Sequence, residues 1–216
     1  MSGTGLFYHE RVPVDVLVVQ VVGITASAFL AGATGAMSFI FVPSILEAPA
    51  PLAARQWKKV YSIGSKVGPG LSALSAVACG WLAARGRLVW LCAKTTTDLV
   101  VLEPSSSRTF RLYTAAAVLI PSIIPYTLGL MVPTNNKLLG KADSLATTDI
   151  TDKAAEAGVT QEETVHALID KWATLNLGQA IITGIGSLCA LWATLDKIDV
   201  VRFQDVGLTS GANRMG

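Results

Sequence analysis

VLVVQVVGITASAFLAGATGAMSFIFV, residues 16–42, runs for 27 positions without an Asp, Glu, Lys or Arg. A helix of that length reaches about 40 Å, against a bilayer hydrocarbon core of about 30 Å, so the stretch is long enough to span a membrane. It follows a polar opening, residues 1–15, and no small-residue cleavage site closes a short apolar run, so it reads as a retained span and not as a signal peptide. Three further stretches, 67–84, 112–132 and 173–195, approach the same purity. The whole chain agrees: of its 216 residues 15% are charged and 51% apolar, and the mean hydropathy is +0.51, whereas soluble domains carry roughly 25% charge. The expected fold is all-α, a single integral membrane domain over 1–216 built as a four-helix bundle. An extramembrane connection is expected over 133–172, an extension of the fourth helix outside the bilayer, and a flexible tail over 203–216.

Charge and ligand types exclude several functions. A net charge of +2 leaves no basic excess for neutralising phosphates, so no nucleic acid is expected as partner. Three cysteines make an odd number, and Cys79 and Cys189 lie in apolar runs, so a disulfide framework is not expected. With two histidines, His9 and His166, and no CxxC or HExxH spacing, the sequence offers no conventional zinc, haem or iron–sulfur site. Glu162, His166 and Asp170 stack at helical spacing, but one His with two carboxylates reads first as a solvated helix face.

Four spans put both termini on one side with the connection 85–111, and the first and third connections on the other. Nine basic residues fall on the terminal side and eight opposite, a near tie. Arg85, Arg87, Arg108 and Arg111 flank the spans closely and tip the reading toward cytoplasmic termini. The connection 88–101 reads as a short hairpin or an interfacial segment. Pro121 and Pro125 predict a kink in span three, and Gly64, Gly68 and Gly70 suit close helix approach or a loose first turn. Gly32, Gly35 and Ala36 suit close packing, and Gln20 is expected to bond a neighbouring helix. Thr160 with Glu163 three residues later forms a capping box ahead of the fourth helix.

Polar groups at the edges of apolar runs need partners, and three sets stand out. The first is Arg55-Gln56-Trp57-Lys58-Lys59-Val60-Tyr61. It reads as an interfacial anchor, or as a pocket wall in which Trp57 and Tyr61 share a helical face and Arg55 turns inward toward an anion. The second is Tyr126-Thr127 with Pro133-Thr134-Asn135-Asn136, which can stop a helix or present amides to a phenol or carbonyl. The third is the line Trp172, Asn176, Gln179, Thr183, at i, i+4, i+7, i+11. It descends one face of span four, either as interhelical hydrogen bonding or as a polar seam of a site.

RQWKKVYSIG (55–64), PYTLGLMVPTNNKL (125–138) and KWATLN (171–176) together resemble the anthrone oxygenase family, small four-span membrane proteins of fungal polyketide pathways. The resemblance covers most of the chain, and its most specific pieces are Pro133-Thr134-Asn135-Asn136 with Leu138, then Trp172 and Asn176. The family pattern places a basic residue three positions after that Asn, where this chain has Gln179. The resemblance implies oxidation of an anthrone-like polyketide to a quinone by O2 through a stabilised enolate, without an organic cofactor. Copper recruited by His166 stays open.

On this reading Asn135 and Asn136 donate to carbonyl and phenol oxygens, Arg55 stabilises the enolate, and Tyr61 or His166 is the base. Trp57, Tyr61 and Trp172 form stacking walls, with Tyr126, Thr134, Asn176 and Gln179 completing the substrate-binding set. The implied partners are a lipophilic aromatic small molecule and the bilayer, with oligomerisation open, and the expected location is the endoplasmic reticulum or another endomembrane. Alternatives are a hydroxylation, ring opening or cyclisation of a related lipophilic substrate, or a non-catalytic four-helix scaffold or transporter. The last fits poorly, because no ionisable residue lies between the interfaces of a span.

Overall fold

Each apolar run becomes a helix, and the helices extend well beyond the runs. The computed structural model of the chain describes residues 12–96, 104–152 and 154–212, with side chains over 12–88, 108–152 and 154–196. Helix α1 (Val14–Ala36) passes through a π-turn (Met37–Phe41) into the short α2 (Val42–Leu46), and α3 (Ala50–Thr96) returns across the membrane. The third span is segmented into α4 (Pro104–Leu119), α5 (Ile123–Tyr126), a second π-turn (Thr127–Met131) and α6 (Val132–Ser144). After a 3-10 turn (Gln161–Glu163), α7 (Val165–Ala212) completes the bundle. Among the described residues, the units long and apolar enough to cross a bilayer are Val14–Leu46, Ala50–Leu88, Arg108–Ser144 and Val165–Asp196, four as expected. The described residues contain no strand.

Helices α1 and α4 both pack on α3 and α7, so they stand diagonally across the bundle. Small residues set the closest approaches. A Cβ added to Gly23 would sit 3.0 Å from the Ala78 Cβ, and one added to Gly186 would sit 2.8 Å from the Ile120 Cγ1. Apolar side chains such as Phe29, Phe39, Val77 and Leu188 face outward, as they can when the surroundings are lipid. At the terminal end the core is built on Cys79, Leu82, Tyr113, Ala116, Ile120 and Ala190. Gln20 Nε2 donates to the Tyr113 hydroxyl at 2.9 Å, and that hydroxyl meets Thr194 Oγ1 at 2.9 Å. The neighbour expected for Gln20 is therefore the helix diagonally opposite.

The kink in span three falls where the prolines predict it. Residues 120–122 form a turn, and Ile124 N donates to the Pro121 carbonyl at 3.0 Å, one register short of an α-helical bond. The Ile120 carbonyl thereby loses its helical donor, and Ser72 Oγ on α3 supplies one at 3.1 Å. This bond closes α3 onto the break.

Several details depart from the sequence reading. Thr160 makes no side-chain cap. Instead Thr164 Oγ1 accepts from Ala167 N at 3.3 Å, and the Glu156 carboxylate accepts from Val165 N at 3.0 and 3.1 Å. Glu156 is held by Lys141 at 3.1 Å, and its negative charge suits a helix N-terminus. Gly64, Gly68 and Gly70 permit no close approach, since a Cβ on any of them meets nothing within 4 Å, and the same is true of Gly32. Helix α3 continues to Thr96, so 88–96 is no hairpin; 97–101 lie outside the described residues, as does His9. Without a proline to stop it, α7 is helical to Ala212, past the start expected for a flexible tail, and 213–216 lie outside the described residues.

The contact of Gly186 with the kink makes a paired prediction. Gly186→Val should destabilise the protein by about 1–3 kcal/mol through overpacking against Ile120. Gly184→Val, where an added Cβ meets nothing within 4 Å, should stay close to wild type. Thermal unfolding in detergent compares the two.

Candidate functional site

The first and third connections meet, as the distribution of polar and aromatic residues suggested, and they enclose the second core. Trp57, Met131, Leu138, Val165, Ile169 and Trp172 are buried together there, with Tyr61 packed against them. Trp57 and Tyr61, four residues apart on α3, stack with centroids 5.0 Å apart and planes inclined by 11°. Trp172 meets Trp57 edge-on at 6.0 Å and 90°. Such pairs are worth about 0.5–1.5 kcal/mol each beyond their buried area.

Asn135 completes the cluster. Met131, Asn135, Leu138 and Ala142 follow i, i+4, i+7, i+11 along one face, and the three apolar members belong to the core around Trp57 and Trp172. Asn135 itself is 2% exposed. Its Oδ1, Trp57 Nε1 and Trp172 Nε1 are all buried without a hydrogen-bond partner. Each orphan costs about 1–3 kcal/mol unless something meets it. The chemistry on offer is two indole N–H donors and one amide in an apolar, aromatic enclosure. A flat molecule with carbonyl or phenolic oxygens satisfies that set.

The other expected site residues are placed differently. Asn136 is exposed, because α6 is a regular helix and consecutive side chains diverge by about 100°. Arg55 does not turn toward Trp57. Its Nη2 donates to the carbonyls of Leu145, Ala146 and Thr148 at 3.3, 2.9 and 2.7 Å, closing the C-terminal end of α6 where a cation is favoured. Its Nε is buried without a partner. The Asp149 carboxyl beyond that turn is held below its ordinary range by the Thr151 N–H and hydroxyl, with Arg55 contributing less.

Tyr126 donates its hydroxyl to the Leu175 carbonyl at 3.1 Å and presses on Gly178, which leaves no room there for a Cβ. Asn176 Nδ2 donates to the Thr34 carbonyl at 2.8 Å, Gln179 Nε2 to Thr127 Oγ1, and Thr183 Oγ1 to the Gln179 carbonyl. The polar line of span four is thus interhelical and intrahelical bonding below Trp172, and the departure at Gln179 is absorbed by Thr127. Thr134 is buried on α6 beside Asn135.

His166 Nε2 lies 2.9 Å from the Ala48 carbonyl, so it must donate, which leaves Nδ1 as the basic nitrogen. Six residues separate it from Trp172, about a third of a turn round α7. Glu162 sits in the 3-10 turn, not on α7, which breaks the stack with His166 and Asp170. No three His, Cys, Asp or Glu side chains come together among the described residues. Met131 was missed in the sequence, although its place one turn before Asn135 marks it. A separate cavity of about 570 Å³ lies at the terminal end, lined by Gly80, Ala83, Phe110, Thr114 and Arg87 among others, and contains none of these residues.

Comparison with known proteins gives one consistent result. The family described as anthrone oxygenase matches residues 57–189. The chain is 29% identical to the anthrone oxygenase encC of Aspergillus fumigatus over 186 residues, covering 82% of this chain and 92% of that protein. It is 26% identical to the anthrone oxygenase nsrD of Aspergillus novofumigatus, covering 83% and 95%. It is 29% identical to an anthrone oxygenase of Claviceps purpurea, covering 79% and 84%. No solved structure matches.

The position of Arg55 predicts a stability effect. Arg55→Gln should cost on the order of 1 kcal/mol or more and speed proteolysis of the connection 145–160, because the carbonyls that follow α6 lose a charged donor. Lys58→Gln breaks a solvent-exposed pair with Asp143 and should shift stability by less than about 0.5 kcal/mol. Limited proteolysis with thermal melts separates the two.

Proposed function

Because the chain belongs to the anthrone oxygenase family, we propose that it is an oxygenase of fungal secondary metabolism that converts an anthrone-like aromatic polyketide to a quinone with O2. The observation that carries this reading is the trio of buried polar atoms without protein partners, Trp57 Nε1, Trp172 Nε1 and Asn135 Oδ1. In the overall reaction two C–H bonds of the anthrone methylene break and a C=O bond forms, so carbon loses four electrons. One atom of O2 enters the product and the other leaves as water.

An anthrone C–H is vinylogous to a carbonyl, and loss of its proton gives an aromatic enolate able to reduce O2 directly. The protein's task is to favour that anion. Indole N–H groups in a site closed to water stabilise charge developing on the carbonyl oxygen far better than water-exposed donors do. The Asn135 amide receives a phenolic O–H, and the Trp57–Tyr61 stack offers a surface for a flat tricycle. Tyr61, stacked on Trp57, takes the proton as its phenolate and becomes the neutral phenol. His166 and Arg55 hold the surrounding backbone at Ala48 and at 145–148. This chemistry needs no organic cofactor, and an endomembrane such as the endoplasmic reticulum supplies the apolar phase in which such substrates dissolve.

The test is to incubate membranes containing the protein with emodin anthrone under labelled O2, with and without a chelator, and to follow the product by mass spectrometry. The expected product is protein-dependent anthraquinone with one labelled oxygen, formed equally with chelator present. Asn135→Leu should lower kcat/KM at least 100-fold, about 2.7 kcal/mol of transition-state stabilisation. It should also leave the melting temperature unchanged or raised, because the atom removed has no partner in the folded protein. Wild-type turnover by Asn135→Leu would remove Asn135 from the site.

A further inference from the structure

The third span does not stay against α3 along its length. Helix α4 packs on α3 and so does α6, while α5 and the second π-turn make at most marginal contact with it. The two ends of the gap are fixed. At one, Ser72 Oγ reaches the Ile120 carbonyl at 3.1 Å; at the other, Lys58 pairs with Asp143 at 2.5 Å beside the aromatic core.

Between them the facing surfaces stand open. Along α3, Trp57, Tyr61, Ser65 and Pro69 follow one face at intervals of four; Trp57 is buried, Tyr61 half-buried, Ser65 and Pro69 exposed. Along span three, Ile124, Leu128, Met131 and Asn135 follow the matching face. Ile124 is 39% and Leu128 66% exposed, while Met131 and Asn135 are buried at 3% and 2%. The missing side chains of Gly64 and Gly68 widen the opening, since a Cβ at either meets nothing within 4 Å. From residue 61 to 72 the gap is about 16 Å long, enough for a flat tricycle entering edge-first.

We infer that this gap between α3 and the segment formed by α5 and the second π-turn is a lateral portal through which the aromatic substrate enters from the bilayer. The inference rests on the reading of Trp57, Asn135 and Trp172 as the substrate site. The occupant follows from what lies at each end. The outer walls, Ile124, Leu128, Val67 and the glycines, are apolar and lie in segments long and apolar enough to cross a bilayer. At the inner end lie the buried, unpartnered polar atoms of Trp57 and Asn135, which an oxygen-bearing ring can meet. A lipid tail would satisfy the walls but not those atoms. The kink is what separates the helices, so the prolines of span three open the portal as well as bend it.

The test uses the full-length protein in liposomes with Trp81, Trp90 and Trp192 changed to Phe, so that Trp57 and Trp172 report. Emodin, the anthraquinone, is the probe, delivered in a second population of vesicles, and its quenching is followed by stopped flow. Ser65→Phe with Gly68→Phe should slow the quenching at least tenfold while leaving its final amplitude unchanged. Val77→Phe, on the lipid face of the same helix, should change neither. A second blockade is made after folding, by bridging Ser65→Cys and Leu128→Cys with a bifunctional maleimide in a background without native cysteines, and should slow entry in the same way. Unchanged entry rates in both blocked proteins would overturn the portal and leave the site standing. Absence of quenching in the unblocked protein would overturn the site reading and the portal together.

Discussion

Inside a bilayer a backbone carbonyl has no water to turn to, and the break at Pro121 governs much of this structure through that constraint. The Ile120 carbonyl, released by the turn, is met by Ser72 on α3, which fixes where the second and third spans touch. Immediately beyond, the chain restarts as α5, passes through a π-turn and continues as α6. Beyond the π-turn Met131 and Leu138 pack with Trp57 and Trp172 and Asn135 is buried, while Ile124 and Leu128 stay exposed. A straight third span would put a different set of residues against α3 and leave no gap.

The same pressure sorts the polar side chains into two groups. Gln20, Tyr126, Asn176 and Gln179 each find a partner on another helix, and together they hold the bundle in one register. Measured interhelical bonds of this kind average only about 0.6 kcal/mol, so their value lies in specifying the arrangement as much as in stabilising it. Trp57, Trp172 and Asn135 find no partner. Buried polar atoms left unmet cost stability, and these three are the ones on which the proposed substrate site rests.

Much of the fold was legible in the chain because hydrophobic length and proline chemistry are local properties. The four spans and the kink follow from runs without charge and from two missing N–H donors. The resemblance carried by Pro133-Thr134-Asn135-Asn136 and Trp172 named Thr134, Asn135 and Trp172, which the fold buries. The division of labour inside it was not legible. Asn135 and Asn136 look equivalent in the sequence, yet a regular α6 turns one into the core and the other to the surface. Arg55 beside Trp57 looks like a catalytic charge, yet two residues along a helix put the pair on nearly opposite faces, and the open carbonyls after α6 capture the guanidinium.

Composition and periodicity by themselves determined that this chain crosses a membrane four times, where it bends, and which ends gather aromatic and amide side chains. Those properties arise from the solvent each segment prefers and from the backbone rules of individual residues. Only the tertiary structure decided which polar groups are occupied in holding helices together, which are left without partners, and where α3 and the third span part. Each of these depends on the rotation and separation of helices far apart in sequence, and no local pattern encodes a distance between them.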